Sequence, residues 1–147
     1  VSNLGDSDSF QEITPGDGDH VGAWTLHALG SFGPVSLVAE YLAAADDFEA
    51  PGVAGLDGAE PSAWNLEAGY GFDLGALPAS VAVGYQGTDE AVALELPERR
   101  ILAALSLGLY ENTALTFEWA HDEDYDLGDG GTGEDGNTLT AQLAVEF

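Results

Sequence analysis

"PSAWNLEAGYGF", residues 61 to 72, alternates without a slip: Trp64, Leu66, Ala68, Tyr70 and Phe72 fall on one side, Asn65, Glu67, Gly69 and Gly71 on the other. Successive side chains of a strand point to opposite faces, so this is a β-strand with one apolar and one polar side. The pattern recurs along the chain. "VSLVAEYL" sets Val35, Leu37, Ala39 and Tyr41 against Ser36, Val38, Glu40 and Leu42; "SVAVGYQ" sets Val81, Val83 and Tyr85 against Ala82, Gly84 and Gln86. "RILAALSLGLY" sets Ile101, Ala103, Leu105, Leu107 and Leu109 against Arg100, Ala104, Ser106, Gly108 and Tyr110, and "ALTFEWAH" sets Leu115, Phe117 and Trp119 against Thr116, Glu118 and Ala120. Near the start Trp24, Leu26 and Ala28 oppose Thr25 and His27, and in "TLTAQLAVEF" Leu139, Ala141, Leu143, Val145 and Phe147 oppose Thr138, Thr140, Gln142, Ala144 and Glu146. About seven strands are expected, near 21–31, 34–45, 62–73, 79–87, 99–110, 113–122 and 137–147. No segment has helical spacing with caps.

Composition excludes several classes. The chain has 147 residues, about one domain's worth. Its 27 acids stand against 2 arginines and no lysine, a formal net charge of −25. Nothing here displaces phosphate counterions, so nucleic acid is not an expected partner. Without Cys or Met there is no disulfide framework, thiolate nucleophile or thiolate zinc site. At 45% hydrophobic residues the chain is too apolar for a disordered acidic tail. No run suits a transmembrane helix and no basic, apolar leader precedes Val1. Lacking an initiator Met, the sequence reads as processed, trimmed or truncated. Its acidity fits a salt-loving source without establishing one.

The connections alternate in length. "SFGP", "DLGALP" and "YENT" are tight, whereas Asp46 to Pro61, Thr88 to Glu98 and Asp122 to Gly136 are long, so every long connection lies at one end of the strands. Nearly all the acids gather at that end: Asp46, Asp47, Glu49, Asp57 and Glu60 in the first long loop, Asp89, Glu90, Glu95 and Glu98 in the second, and Asp122, Glu123, Asp124, Asp126, Asp129, Glu134 and Asp135 in the third. A soluble sandwich has no reason to segregate loop length and charge in this way. An outer-membrane barrel does, with short periplasmic turns, long outside loops, an apolar outer band edged by aromatics and a polar interior.

The expected fold is therefore all-β, an antiparallel transmembrane β-barrel of up-and-down meander topology over residues 21–147, with residues 1–20 as an extracellular loop or N-terminal segment. Trp24, Tyr41, Trp64, Tyr70, Phe72, Tyr85, Trp119 and Phe147 are the expected lipid-facing girdle, and His27, Glu40, Glu67, Arg100, Glu118 and Glu146 the expected lumen lining. Seven strands do not close a bacterial single-chain barrel, which takes an even number. Either Ser9 to Thr14 hides an eighth strand, or the chain is the C-terminal portion of a larger barrel; the second is favoured. The missing strands would then come from another chain, a second copy or a cleaved fragment, because an open edge in lipid costs several kcal/mol per unpaired group, roughly.

Several stretches together, "GAWTLHALGSFGPVSLVAEYLAAADDF", "PSAWNLEAGYGF", "LPERR", "NTALTFEWAHDEDYD" and "LTAQLAVEF", resemble the C-terminal part of the LbtU-type siderophore porin family of Gram-negative bacteria. The resemblance runs from about Gly22 to the end. It implies an outer-membrane barrel linked to uptake of the iron chelator legiobactin, and it carries no binding residue over position by position.

Each candidate for chemistry has two readings. The inward acids Glu40, Glu67, Glu118 and Glu146, with His27 and Arg100, line a passage that favours cations, or are solvated and paired filler of a polar interior. Arg99 and Arg100 in "ELPERR" grip a carboxylate-rich chelator, or pair with the surrounding acids. "HDEDYDLGDGGTGEDGN" is the kind of carboxylate-and-glycine loop that wraps Ca²⁺, with Asp122, Asp124, Asp126 and Asp129 as candidate ligands, or is a solvated acidic loop; it does not follow the EF-hand order. His20, His27 and His121 have no metal spacing, and no catalytic set stands out, so an enzyme is not expected. The expected function is a porin-like channel for small solutes, with ferric siderophore uptake as the solute the resemblance implies. The alternatives are a non-transporting barrel subunit whose acidic loops bind cations or a partner protein, and a soluble halophilic β-sandwich.

Overall fold

The computed structural model describes residues 2–3, 21–49 and 55–145. Its strands are β1 (Ser2–Asn3), β2 (Gly22–Phe32), β3 (Val35–Ala44), β4 (Ser62–Leu74), β5 (Leu77–Asp89), β6 (Arg99–Tyr110), β7 (Thr113–Glu123) and β8 (Asp135–Val145). They form one sheet in sequence order, every neighbouring pair antiparallel. The architecture is an all-β meander, as the alternation predicts. Among the described residues its only helical turns are single 3-10 turns at Val92–Leu94 and Leu127–Asp129, inside long loops. β1 contributes only Ser2 opposite Ala23 and Asn3 opposite Gly22. Ser9 to Thr14, Glu146 and Phe147 lie outside the described residues, and so do most of 1–20.

The tight turns are 33–34, 75–76 and 111–112, and each holds one residue in the left-handed region: Gly33 (φ 61°), Gly75 (φ 67°) and Asn112 (φ 61°). A two-residue connection needs positive φ to match the strand twist, and Gly and Asn reach it at least cost. Short turns pin the register of the strand pairs beside them, which fixes the face each side chain occupies as far as the ladder runs unbroken. The ladder slips once, between Gly108 and Tyr110, so the strict alternation of β6 ends at Leu107 and not, as the sequence suggests, at Leu109.

One face runs apolar across the seven long strands. Leu26 lies opposite Tyr41, Tyr41 opposite Trp64, Leu66 opposite Tyr85, Tyr85 opposite Ile101, Ala103 opposite Trp119 and Trp119 opposite Leu139. Nothing in the described chain covers this face: Leu26 is 66% exposed, Val83 59% and Leu139 77%. The buried core sits instead at the long-loop end, where Val21, Ala44, Phe48 and Leu56 pack together with Ala93 against them. The long loops thus make a small apolar core of their own, while the sheet leaves its apolar side open.

Aromatics are spread along the apolar face, with Trp119 at the level of Val83 and pairs of rings near both ends of the strands. Towards the long loops Trp24 meets Tyr41 at 5.1 Å between ring centroids, and Trp64 meets Tyr85 edge-on at 4.9 Å. Trp119 stacks on His121 at 6.0 Å. Towards the tight turns Tyr70 stacks on Phe72 at 6.2 Å. The Trp64 indole lies across Gly87, its cross-strand partner, and a Cβ there would come within 2.7 Å of three indole atoms. Gly87→Val is therefore expected to push Trp64 off β5 at a cost of about 1–3 kcal/mol, read as a shift in tryptophan fluorescence and a lower unfolding midpoint. An unchanged spectrum and midpoint would contradict that packing.

Candidate functional site

The opposite face carries the chemistry. Pairing within the hairpins places His27 beside Glu40, Asn65 beside Gln86 and Arg100 beside Asp122. Pairing between hairpins places Glu40 beside Asn65 and Gln86 beside Arg100. The result is one unbroken polar row across six strands: His27, Glu40, Asn65, Gln86, Arg100, Asp122. Along this row Asn65 Nδ2 donates to Glu40 Oε2 at 3.3 Å. That bond orients the amide, since the reverse orientation would set an oxygen against the carboxylate. Asn65 Oδ1 is then left buried without a partner. At the other end Arg100 Nε and Nη2 donate to the two oxygens of Asp122 at 2.5 and 2.9 Å, a two-pronged pair that spends the guanidinium on its neighbour.

A cavity of about 460 Å³ lies over the row, lined by His27, Glu40, Asn65, Gln86 and Arg100 and bounded by Leu96 and Pro97 of the β5–β6 loop. That loop is held by a chain of bonds whose protons can be counted. The Thr88 hydroxyl donates to the Pro97 carbonyl at 2.7 Å, so the Tyr125 hydroxyl, 2.7 Å from Thr88 Oγ1, must donate to Thr88, and it in turn accepts from Ala91 N at 3.3 Å. Tyr125 is only 6% exposed, and every polar atom of this relay is matched. Glu90, in the left-handed region at φ 52°, accepts from Glu60 N at 2.7 Å and ties the first long loop to the second. A second cavity of about 420 Å³ lies between the second and third long loops, and Arg100 lines both, with Asp122 beside it in the second.

The third loop is organised around Asp124, whose carboxylate accepts from Tyr125 N and Thr132 N at 2.8 Å each and from Thr132 Oγ1 at 2.5 Å. The Thr132 hydroxyl, then the Thr132 and Tyr125 backbone N–H groups, hold this carboxyl below its ordinary value near 3.8. The structure does not gather Asp122, Asp124, Asp126 and Asp129 into a ligand set: Asp122 serves Arg100 and Asp124 serves its own loop. Among the described residues no group of three or more His, Asp or Glu is placed to hold a metal ion.

The remaining sequence candidates are distributed by the same register. Glu67 lies opposite Val38 and Gly84, one level below the polar row, and Glu118 lies opposite Ala104 and Thr140, one level further. Trp24, Tyr41, Trp64, Tyr70, Phe72, Tyr85 and Trp119 all share the apolar face. Arg99 and Arg100 are neighbours on one strand and face opposite ways, so they cannot form a single grip; Arg99 Nη2 is 3.4 Å from Glu98 Oε1. Asn65, Gln86, Thr88 and Tyr125 were not singled out by sequence reasoning. The tight turns are the signal for the first two, since counting outward from 75–76 pairs them. Thr88 and Tyr125 meet only through loop packing.

The fold and site define a one-sided antiparallel meander, apolar on one face and polar on the other, with its long loops folded into an acidic cap. No helix of the described residues is long and apolar enough to cross a membrane, which leaves open crossing by strands. In sequence the chain is similar to UPF0422 proteins: 32% identical over 131 residues to one from Coxiella burnetii, covering 85% of this chain and 28% of that protein. It is 31% identical over 165 residues to one from Legionella pneumophila strain Lens, covering 99% of this chain and 31% of that protein. A Legionella pneumophila strain Philadelphia 1 relative is 37% identical over 105 residues, or 61% of this chain and 20% of that protein. The chain thus spans less than a third of the length of these relatives. No family model and no solved structure matches it.

Proposed function

We propose that this chain is part of an outer-membrane β-barrel, its long loops outside the cell, that gives small solutes passage along its polar face. The observation that carries the reading is the uncovered apolar face. In water an apolar patch spanning seven strands is a severe liability, whereas in a bilayer it is the required outer surface. Ring pairs near both ends of the strands, Trp24–Tyr41 and Trp64–Tyr85 at one and Tyr70–Phe72 at the other, support the same reading. Trp64 and Phe72 are eight residues apart on β4, about 26 Å along the strand and about 20 Å after barrel tilt, close to the height of a barrel's apolar band.

The polar face suits a wide lumen. At mid-height one level carries Leu29, Val38, Glu67, Gly84 and Leu102, and the next carries mostly small side chains, Ser31, Ser36, Gly69, Ala82 and Ala104, with Glu118; this mixture leaves room beside the wall. The outer edge of β8 pairs with no strand among the described residues, and closure in lipid requires one. Further strands, from the same polypeptide or from other chains, are therefore part of the proposal. Siderophore uptake rests on the sequence resemblance alone, and neither arginine is free to grip a carboxylate-rich chelator.

A second reading is favoured by the loop cap: a barrel subunit whose ordered acidic loops present a surface to a partner protein and transport nothing. Detergent extraction, heat-modifiable gel mobility and single-channel recording separate the readings. A heat-shifted species that conducts supports passage. A heat-shifted species with no conductance favours the interaction role, and a monomer soluble without detergent ends the membrane reading.

A further inference from the structure

The geometry points to a solute class. We infer that the passage prefers cations to anions, and that the preference comes from Glu40, Glu67 and Glu118 on the polar face; this rests on the passage reading above. Asp122 and Arg100 cancel one another in a two-pronged pair. Arg99 and Glu123 belong to the apolar side of the register, and His27 lies beside Glu40. What remains on the polar face of the described strands is Glu40, Glu67 and Glu118, with Asp73 beyond them at the tight-turn end; none of the first three forms an ion pair among the described residues, and Glu118 is near enough to Arg100 to act on its charge.

Their placement is a ladder. Glu40 on β3, Glu67 on β4 and Glu118 on β7 occupy three successive levels of the sheet, so a cation leaving one level meets a carboxylate at the next. Glu67 stands between Val38 and Gly84, and Glu118 between Ala104 and Thr140. At the uppermost level Glu40 lines the cavity under the Leu96–Pro97 roof and accepts from Asn65 Nδ2. Acceptors on successive levels, with the sole nearby cation neutralised, lower the energy of a passing cation and raise that of an anion.

The test is a reversal-potential measurement on the native assembly in planar bilayers under a KCl gradient. Recording near 1 M salt screens the exposed loop acids, since the Debye length there is about 3 Å, and screens charges inside the passage less. The expected result is a potassium preference over chloride of roughly fivefold, falling to roughly twofold or less in Glu67→Gln/Glu118→Gln. Asp122→Asn is the independent variant: it releases Arg100 into the passage and is expected to lower the preference as well. Conductance without preference, or with chloride preferred, overturns the inference and leaves the passage reading standing. A preference that survives both variants overturns its assignment to these carboxylates. A folded, heat-modifiable assembly that never conducts overturns the passage reading and the inference together.

Discussion

Val83→Arg is expected to destabilise the folded protein in a bilayer by about 2–4 kcal/mol, the cost of a cation near the midplane of a barrel's outer face. Val83 sits midway along β5 on the apolar face, between Ala68 of β4 and Ala103 of β6, and is 59% exposed. An exposed valine in water tolerates such a change to within about 0.5 kcal/mol, because no packing is lost and the guanidinium is hydrated. In lipid the same exposure is the reason for the penalty. Thr140→Arg is the control. Thr140 lies on the polar face opposite Glu118, and a change of less than about 1 kcal/mol is expected there. Reversible urea unfolding of the reconstituted protein, followed by tryptophan fluorescence, reads both variants. Equal small effects would mean that the apolar face meets water or another protein, and would remove the central support for the membrane reading.

Gly131→Ala is expected to unfold the third loop at a cost of about 1–3 kcal/mol. A Cβ at this position would collide with the Tyr125 backbone carbonyl and come within 2.6 Å of its Cβ, so either the loop or Tyr125 must move. Neither moves freely. The Tyr125 carbonyl accepts from Gly133 N at 2.9 Å, and its hydroxyl is the donor that holds Thr88 and, through it, the Pro97 roof. The damage should therefore spread from the third loop to the cavity over the polar row. Limited proteolysis is expected to cut residues 124–134 faster, and near-ultraviolet circular dichroism should lose tyrosine signal. Gly128→Ala, with nothing within 4 Å of the added Cβ, is the matched control in the same loop. Equal resistance of the two variants would mean that the third loop does not need this close approach.

Much of the fold was legible in the chain because a half-buried strand writes its two faces as alternation. "PSAWNLEAGYGF" and "ALTFEWAH" lie in β4 and β7 as read, and every long strand was located to within two residues at each end. The exception inside a strand is instructive. Leu107 and Leu109 look equivalent in sequence, but the slip after Gly108 breaks the alternation, and a Cβ on Gly108 would come within 2.8 Å of Pro78. Contacts made across strands leave no trace in a local pattern. The candidate site was legible in the same partial way: Glu40, Glu67, Arg100 and Glu118 were placed on the correct face by parity alone, while the partners Asn65, Gln86 and Asp122 were not recognised as one row.

The sequence by itself determined the strands, their two faces, the segregation of acids to one end and, through two-residue turns, the pairings inside the β2–β3 and β4–β5 hairpins. A turn that short leaves no freedom of register, so His27–Glu40 and Asn65–Gln86 follow from chain distance to Gly33 and Gly75, whereas counting from the 111–112 turn would set Arg100 against Glu123 and only the slip after Gly108 brings it to Asp122. Only the tertiary structure decided how the hairpins stack on one another. The long loops between them tolerate many registers at little entropic difference, so which pair meets which is set by packing between hairpins. That choice brings Glu40 to Asn65 and Gln86 to Arg100, turning three local pairs into one row, and it folds the acidic loops around Phe48, Leu56 and Tyr125 into the cap above it.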